Sequence, residues 1–179
     1  AFSVCLFDPG WHQGVIGLLA SRIKDRLHRP ALAFARGNDG ELKGSGRSVR
    51  ALHLRDALDR VDKRQPGLLR RFGGHAAAAG LTIAESDFEG FKRLFEDISR
   101  ELLTIGDLDR LIETDGTLPP AERTLATAAA IEGEVWGQGF ATPLFLDRFR
   151  VERQRVVGGR HLKLQLAAQD QRLEAMLFG

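Results

Sequence analysis

The stretch RRFGGHAAAAG, residues 70–80, decides how the middle of this chain is built. Two arginines and a phenylalanine lead into a glycine pair, a lone histidine and four alanines. Gly73 and Gly74 permit a positive φ and a close approach of backbone to a ligand. PGLLRRF (66–72) reads as a short helix. If residues 76–79 open another, its free N–H groups favour an anion beside His75, and its alanines allow tight packing on a sheet. A neutral His75 donates one hydrogen bond, while a protonated one adds charge. The alternative is a structural histidine that only packs.

Working outward, AFSVCLF (1–7) reads as a buried strand ended by the turn Asp8-Pro9-Gly10. Residues 13–28 form a helix with Val15, Ile16, Leu19, Ile23 and Leu27 on one stripe, and Pro30 follows its stop. PALAFAR (30–36) and LKGSGRSV (42–49) are strands joined by the hairpin signal Gly37-Asn38-Asp39-Gly40. HLRDALDRV (53–61) is a short helix and LTIA (81–84) a strand. Ser86-Asp87-Phe88-Glu89 reads as a capping box opening a helix with Phe88, Phe91, Phe95, Ile98 and Leu102 on one face. The expectation is a mixed-sheet α/β domain over 1–104, then a linker over 105–112.

The character changes in 113–179. ETDGTL (113–118) reads as a strand, and Pro119 and Pro120 open a helix to about residue 131. After the loop Trp136-Gly137-Gln138-Gly139 come strands over 143–157, 160–168 and 172–178, turned at Gly158-Gly159. Leu162, Leu164 and Leu166 alternate with His161, Lys163 and Gln165, the pattern of a half-buried antiparallel strand. Three or four strands close no barrel. The expectation is therefore a partial all-β domain truncated at its C-terminus. Ala1 is an unusual start, and an upstream segment is expected as well.

Hydrophobic residues make up 43% of the 179 and charged residues 28%, an ordinary globular composition. No apolar run is long enough to span a bilayer. The single cysteine, Cys5, excludes an internal disulfide and a multi-cysteine zinc site, which points to a reducing, cytoplasmic compartment. The net charge of +2 is unevenly spread. Residues 20–71 hold 14 Lys/Arg against 6 Asp/Glu, residues 105–147 hold 2 against 8, and residues 148–179 hold 7 against 3. Two basic blocks suit a polyanion, and solvated faces are the alternative.

In a strand, Lys43, Ser45 and Arg47 share one side, with Gly44, Gly46 and Ser48 on the other. Arg47 can fork onto two phosphate oxygens while Ser45 and nearby N–H groups donate to others. The same glycines equally suit close packing or a bulge. His12, at the turn into the first long helix, either contacts a ligand or caps the helix. No metal-ligand spacing, Ser/His/Asp set, Cys/His pair or phosphate-binding loop stands out.

Taken in order, GWHQGVIGLLASRI, HRPALAF, LKGSGRS and FGGHAAAAG resemble the C-terminal part of the bacterial RecJ family of single-stranded-DNA-specific exonucleases. The likeness continues through LPPAE, WGQGF, PLF and RHLKL. It implies that residues 1–104 are a DHH-associated substrate-binding domain and that residues from about 110 begin an OB-like domain. It implies a 5′→3′ exonuclease of DNA repair and recombination whose N-terminal DHH domain, with its manganese or magnesium ligands, has no counterpart here. By resemblance Ser45, Gly46, Arg47, Ser48, Gly73, Gly74 and His75, with His12 and Lys43 beside them, hold phosphates or the terminal nucleotide. Arg148, Arg150, Arg153, Arg155, Arg160 and Lys163 add a groove that tracks the backbone. The expected partners are single-stranded DNA, the chain's own DHH domain, and a single-strand-binding protein or helicase. No cofactor is expected in this chain itself. Two competing readings are a phosphodiesterase for oligonucleotides or cyclic dinucleotides and a non-catalytic nucleic-acid-binding module.

Overall fold

The strand VCLF and the strand ALAFAR lie parallel, and a parallel pair needs a crossover, which the helix between them provides. In the computed structural model, which describes residues 1–38, 40–137, 139–168 and 171–179, these are β1 (Val4–Phe7), α1 (Ile16–Leu27) and β2 (Ala31–Arg36). They are followed by β3 (Glu41–Arg47), α2 (Leu54–Arg64), β4 (Arg71–Gly74), β5 (Ala78–Ala84) and α3 (Phe88–Leu102). The chain divides into two units, Ala1–Arg110 and Leu111–Gly179.

The first unit is a mixed five-stranded sheet in the order β1-β2-β3-β5-β4, with only the β1–β2 pair parallel. The strand period of two sorts its side chains onto two faces. Cys5, Leu32, Phe34, Leu42, Leu81 and Ile83 point into the main core, where α2 adds Leu54, Leu58 and Val61 and α3 adds Phe91, Phe95 and Ile98. The Phe91 ring meets Phe34 edge-on at 5.5 Å and stacks on Phe95 at 5.7 Å. On the other face Ala33 and Ala35 pack against Ile16 and Ala20 of α1. That helix ends at His28, whose positive φ of 48° is the turn expected before Pro30.

The second unit holds α4 (Leu125–Glu132) and an antiparallel sheet of β6 (Arg150–Val157), β7 (His161–Ala168) and β8 (Gln171–Leu177). This is the expected order of fold classes: a mixed α/β sheet with helices, then a partial all-β OB-like sheet. None of the described side chains of residues 111–179 is fully buried.

Several elements differ from expectation. Residues 66–72 are not a helix: Gly67 turns with φ 87°, Leu68 and Leu69 are both buried, and β4 begins at Arg71. Residues 76–79 open no helix either. The His75–Ala77 loop leads into β5, and pairing of β4 with β5 satisfies the backbone groups a helix would have used. Ser86 is no cap, because a 3-10 turn over Glu85–Asp87 precedes α3 and no side chain bonds its start. Residues 113–118 form no strand, although Asp115 N–H donates to Leu144 O (2.8 Å) and Leu146 N–H to Gly116 O (2.9 Å). Pro120 opens only a 3-10 turn. Helix α4 starts later, with Thr124 Oγ1 accepting from Thr127 N–H. Strand β6 starts at Arg150, not 143. Asp39 of the first hairpin and Gln138 of the tryptophan loop lie outside the described residues.

Candidate nucleic-acid interface

In the first unit the α1 face of the sheet is only half covered. Helix α1 lies over β2 and β3, and the same face continues onto β5 and β4. Register places three cross-strand rows there. The first is Lys43–Thr82–Arg71, the second Ser45–Gly80–Gly73, and the third Arg47–Ala78. Along β3 burial alternates as expected, with Lys43, Ser45 and Arg47 half-buried and Gly44, Gly46 and Ser48 buried.

Gly44 and Gly46 have packing reasons to lack a side chain. A Cβ on Gly44 would come within 2.5 Å of the Phe34 ring, and one on Gly46 within 2.8 Å of Leu54. The close-packing alternative thus holds for these two, and Gly46 turns away from the cationic side. Arg47 Nη1 donates to Ser45 Oγ (3.3 Å) and to Gly46 O (2.8 Å). A Cβ on Gly17 of α1 would stand 3.2 Å from Ser45 Oγ and 3.3 Å from Arg47 Nη2, so α1 walls the pair closely. Among the described residues no carboxylate pairs with Arg47. Lys43 differs: its ammonium bonds Glu41 (2.9 Å) and Thr82 Oγ1 (3.2 Å). Lys43, and then Arg70, hold the Glu41 carboxyl below the usual range by hydrogen bonding.

His75 stands exposed at the hairpin between β4 and β5, its N–H on Ala78 O (2.8 Å). The loop is pinned from outside, because Ser48 N–H donates to Ala77 O (3.0 Å) and Leu54 N–H to Ala76 O (2.9 Å). Arg47 pairs with Ala78, so both cationic-capable side chains rise from one end of the sheet. Gly74 has φ 144° and no room for a Cβ beside Ala78 O and Ala79. Ser48 Oγ is buried without a hydrogen-bond partner among the described residues. His12 accepts Gly14 N–H on Nδ1 at 3.0 Å, closing the turn before α1, and its ring is exposed.

The second unit gathers arginines by an irregularity. Regular alternation from Arg150 would put Arg153 and Arg155 on the opposite face. A bulge at Glu152 resets the phase, since Val151 pairs with Leu166 and Arg153 with Gln165. Arg150, Arg153 and Arg155 therefore share the face of Lys163 and Gln165, joined by Arg172 and Glu174 of β8. A shallow depression of about 430 Å³ is lined by Arg153, Arg155, Lys163, Gln165 and Glu174. Arg148 precedes β6 and Arg160 lies in the turn after it, so neither belongs to this ladder. Arg172 escaped the sequence reading, because only the β7–β8 register places it. Anions punctuate the face: Glu152 bonds Arg150 (3.3 Å) and Arg172 (3.2 Å), and Glu174 bonds Lys163 (2.8 Å).

The DHHA1 domain model matches residues 1–101. The chain belongs to the DHHA1 domain family. The RecJ OB domain model matches residues 114–179. The chain is 51% identical over 164 residues to the single-stranded-DNA-specific exonuclease RecJ of Dickeya dadantii, covering 91% of this chain and 28% of that protein. It is 49% identical to RecJ of Escherichia coli with the same coverage. It thus spans little more than a quarter of these relatives. Crystal structures of Thermus thermophilus RecJ with Mg²⁺ and with Mn²⁺ superpose with a TM-score of 0.77 at 32% and 33% identity. They match over 97% and 98% of this chain but 26% and 25% of theirs.

Among the described residues no three His, Cys, Asp or Glu side chains come together as a metal site. The divalent ion of those relatives finds no ligand set among the described residues. No described helix is long and apolar enough to cross a membrane.

Proposed function

We propose that this chain is the substrate-binding portion of a cytoplasmic single-stranded-DNA exonuclease acting 5′→3′ in repair and recombination, and that alone it binds DNA without cutting it. One observation carries the reading. Arg47 lies beside Ser45 against α1, at the edge of an open sheet face, with no acidic partner among the described residues. A half-buried guanidinium without a carboxylate suits phosphate. His75 and Ser48 stand at the same end and complete a set for a terminal nucleotide, and His12 and Lys43 flank it. The basic face of β6–β8, with Arg148 and Arg160 at its margins, is by itself a second surface for the backbone of a single strand. Hydrolysis would need the DHH domain and its manganese or magnesium, and delivery a single-strand-binding protein or helicase.

Fluorescence anisotropy on a single-stranded oligomer and its duplex tests this. Binding should favour the single strand. With four to six phosphates neutralised, log K should fall against log[salt] with a slope of roughly −3 to −4. The same preparation should show no EDTA-sensitive cleavage in manganese. A flat salt dependence, tighter duplex binding or such cleavage would overturn the reading.

A further inference from the structure

The row Ser45–Gly80–Gly73 separates Arg47 from Arg71. Gly44, Gly46 and Gly74 are glycine because a side chain would collide with core or backbone. Gly73 and Gly80 have no such reason. Neither has a positive φ. A Cβ on Gly73 meets nothing within 4 Å, and one on Gly80 meets only Gly44 O at 3.8 Å. Both are exposed, and they pair directly across β4 and β5. Glycine inside a strand weakens it, so the fold would gain from side chains at both positions.

A further observation marks this floor as a ligand position. At the end away from Arg47, Arg71 is exposed and, among the described residues, in no ion pair, unlike Lys43 of its own row. From the Arg47 row to the Arg71 row is four strand residues, about 13–14 Å. A single nucleotide is too short to touch both guanidinium rows, and an extended strand a few nucleotides long is not.

We infer that the substrate strand leaves the Arg47–His75 end along the bare floor of Gly80 and Gly73, and that Arg71 holds a phosphate further along it. This rests on the proposed function and adds a direction and two residues to it. Gly80 sets how closely the strand lies, and Arg71 makes binding depend on length.

The test uses the whole enzyme and two thymidylate substrates, a dinucleotide and a dodecamer. Gly80→Val should leave the melting temperature equal or higher while raising KM for the dodecamer about tenfold or more. Arg71→Ala should cost the dodecamer about tenfold in kcat/KM and the dinucleotide much less. Arg47→Ala should cost both substrates alike. If Arg71→Ala and Gly80→Val leave the dodecamer untouched while Arg47→Ala impairs it, the path is wrong and the proposed function stands. Equal losses on both lengths for Arg71→Ala would also overturn the path. If Arg47→Ala harms neither substrate, the proposed function itself fails.

Discussion

Residues 1–110 and 111–179 solve the problem of burying apolar surface in opposite ways. In the first unit Phe34, Phe91, Phe95, Leu58 and Ile98 are sealed between a sheet and two helices. In the second, β6–β8 carry an apolar face of Val151, Val156, Leu162, Leu164, Leu166, Leu173 and Leu177, yet none of the described side chains there is fully buried. A sheet needs a second layer before its apolar face contributes fully. A binding surface can therefore rest on a closed core or on the ladder of a sheet alone, and the two kinds should respond differently to the same perturbation.

The largest contrast should come from core truncation. Phe91→Ala should cost about 3–5 kcal/mol, and Leu164→Ala under about 1 kcal/mol. Trp11 and Trp136 place one tryptophan in each unit, so urea melts followed by fluorescence in variants keeping only one of the two read the units separately. Comparable losses would show that the face of β7 is covered in solution.

A smaller effect concerns how the first unit fastens its first strand. Burial raises the Glu96 carboxyl, but hydrogen bonds from Phe2 N–H, Ser3 N–H and the Ser3 hydroxyl (2.7 Å), with Arg100 nearby, bring it below the usual glutamate range. Glu96→Gln should cost about 1–2 kcal/mol near neutrality. Because the native pKa is depressed, that stability is complete above the ordinary value of roughly 4.3 and fades as pH falls through the lower native value. The gap between parent and variant should close on acidification in the Trp11 signal. A pH-independent gap would remove the carboxylate from the account.

The smallest effect lies on the open sheet. Glu152→Gln should release Arg150 and Arg172, tighten single-stranded DNA binding by about threefold and leave melting unchanged. Unaltered affinity would mean that those arginines do not meet DNA.

How far the sequence could be read follows the same divide between local and distant pairing. Helices α1 and α3 announce themselves through Ile16, Leu19, Ile23 and through Phe88, Phe91, Phe95, because 3.6-residue periodicity is local. Strand β4 does not. Its four residues include two glycines, and helical spacing of Leu68, Leu69 and Phe72 imitates a helix until Gly67 turns the chain. The shared face of Lys43, Ser45 and Arg47 was legible from period two. Its continuation onto Gly80, Gly73 and Arg71 was not, since β3, β5 and β4 meet only through register. The arginines of β6 show the opposite trap: alternation was the right rule, and one extra residue, Glu152, reverses its outcome.

The hairpin carrying His75 has a consequence for mutational tolerance. Main-chain bonds from Ser48 and Leu54 hold this loop, and the imidazole itself is exposed. A saturation scan selecting only for folded protein would therefore find position 75 nearly silent while its neighbour Gly74 rejected every side chain. Any preference for histidine at 75 would surface only when the scan selects for what the protein does, so the two adjacent positions separate architecture from chemistry.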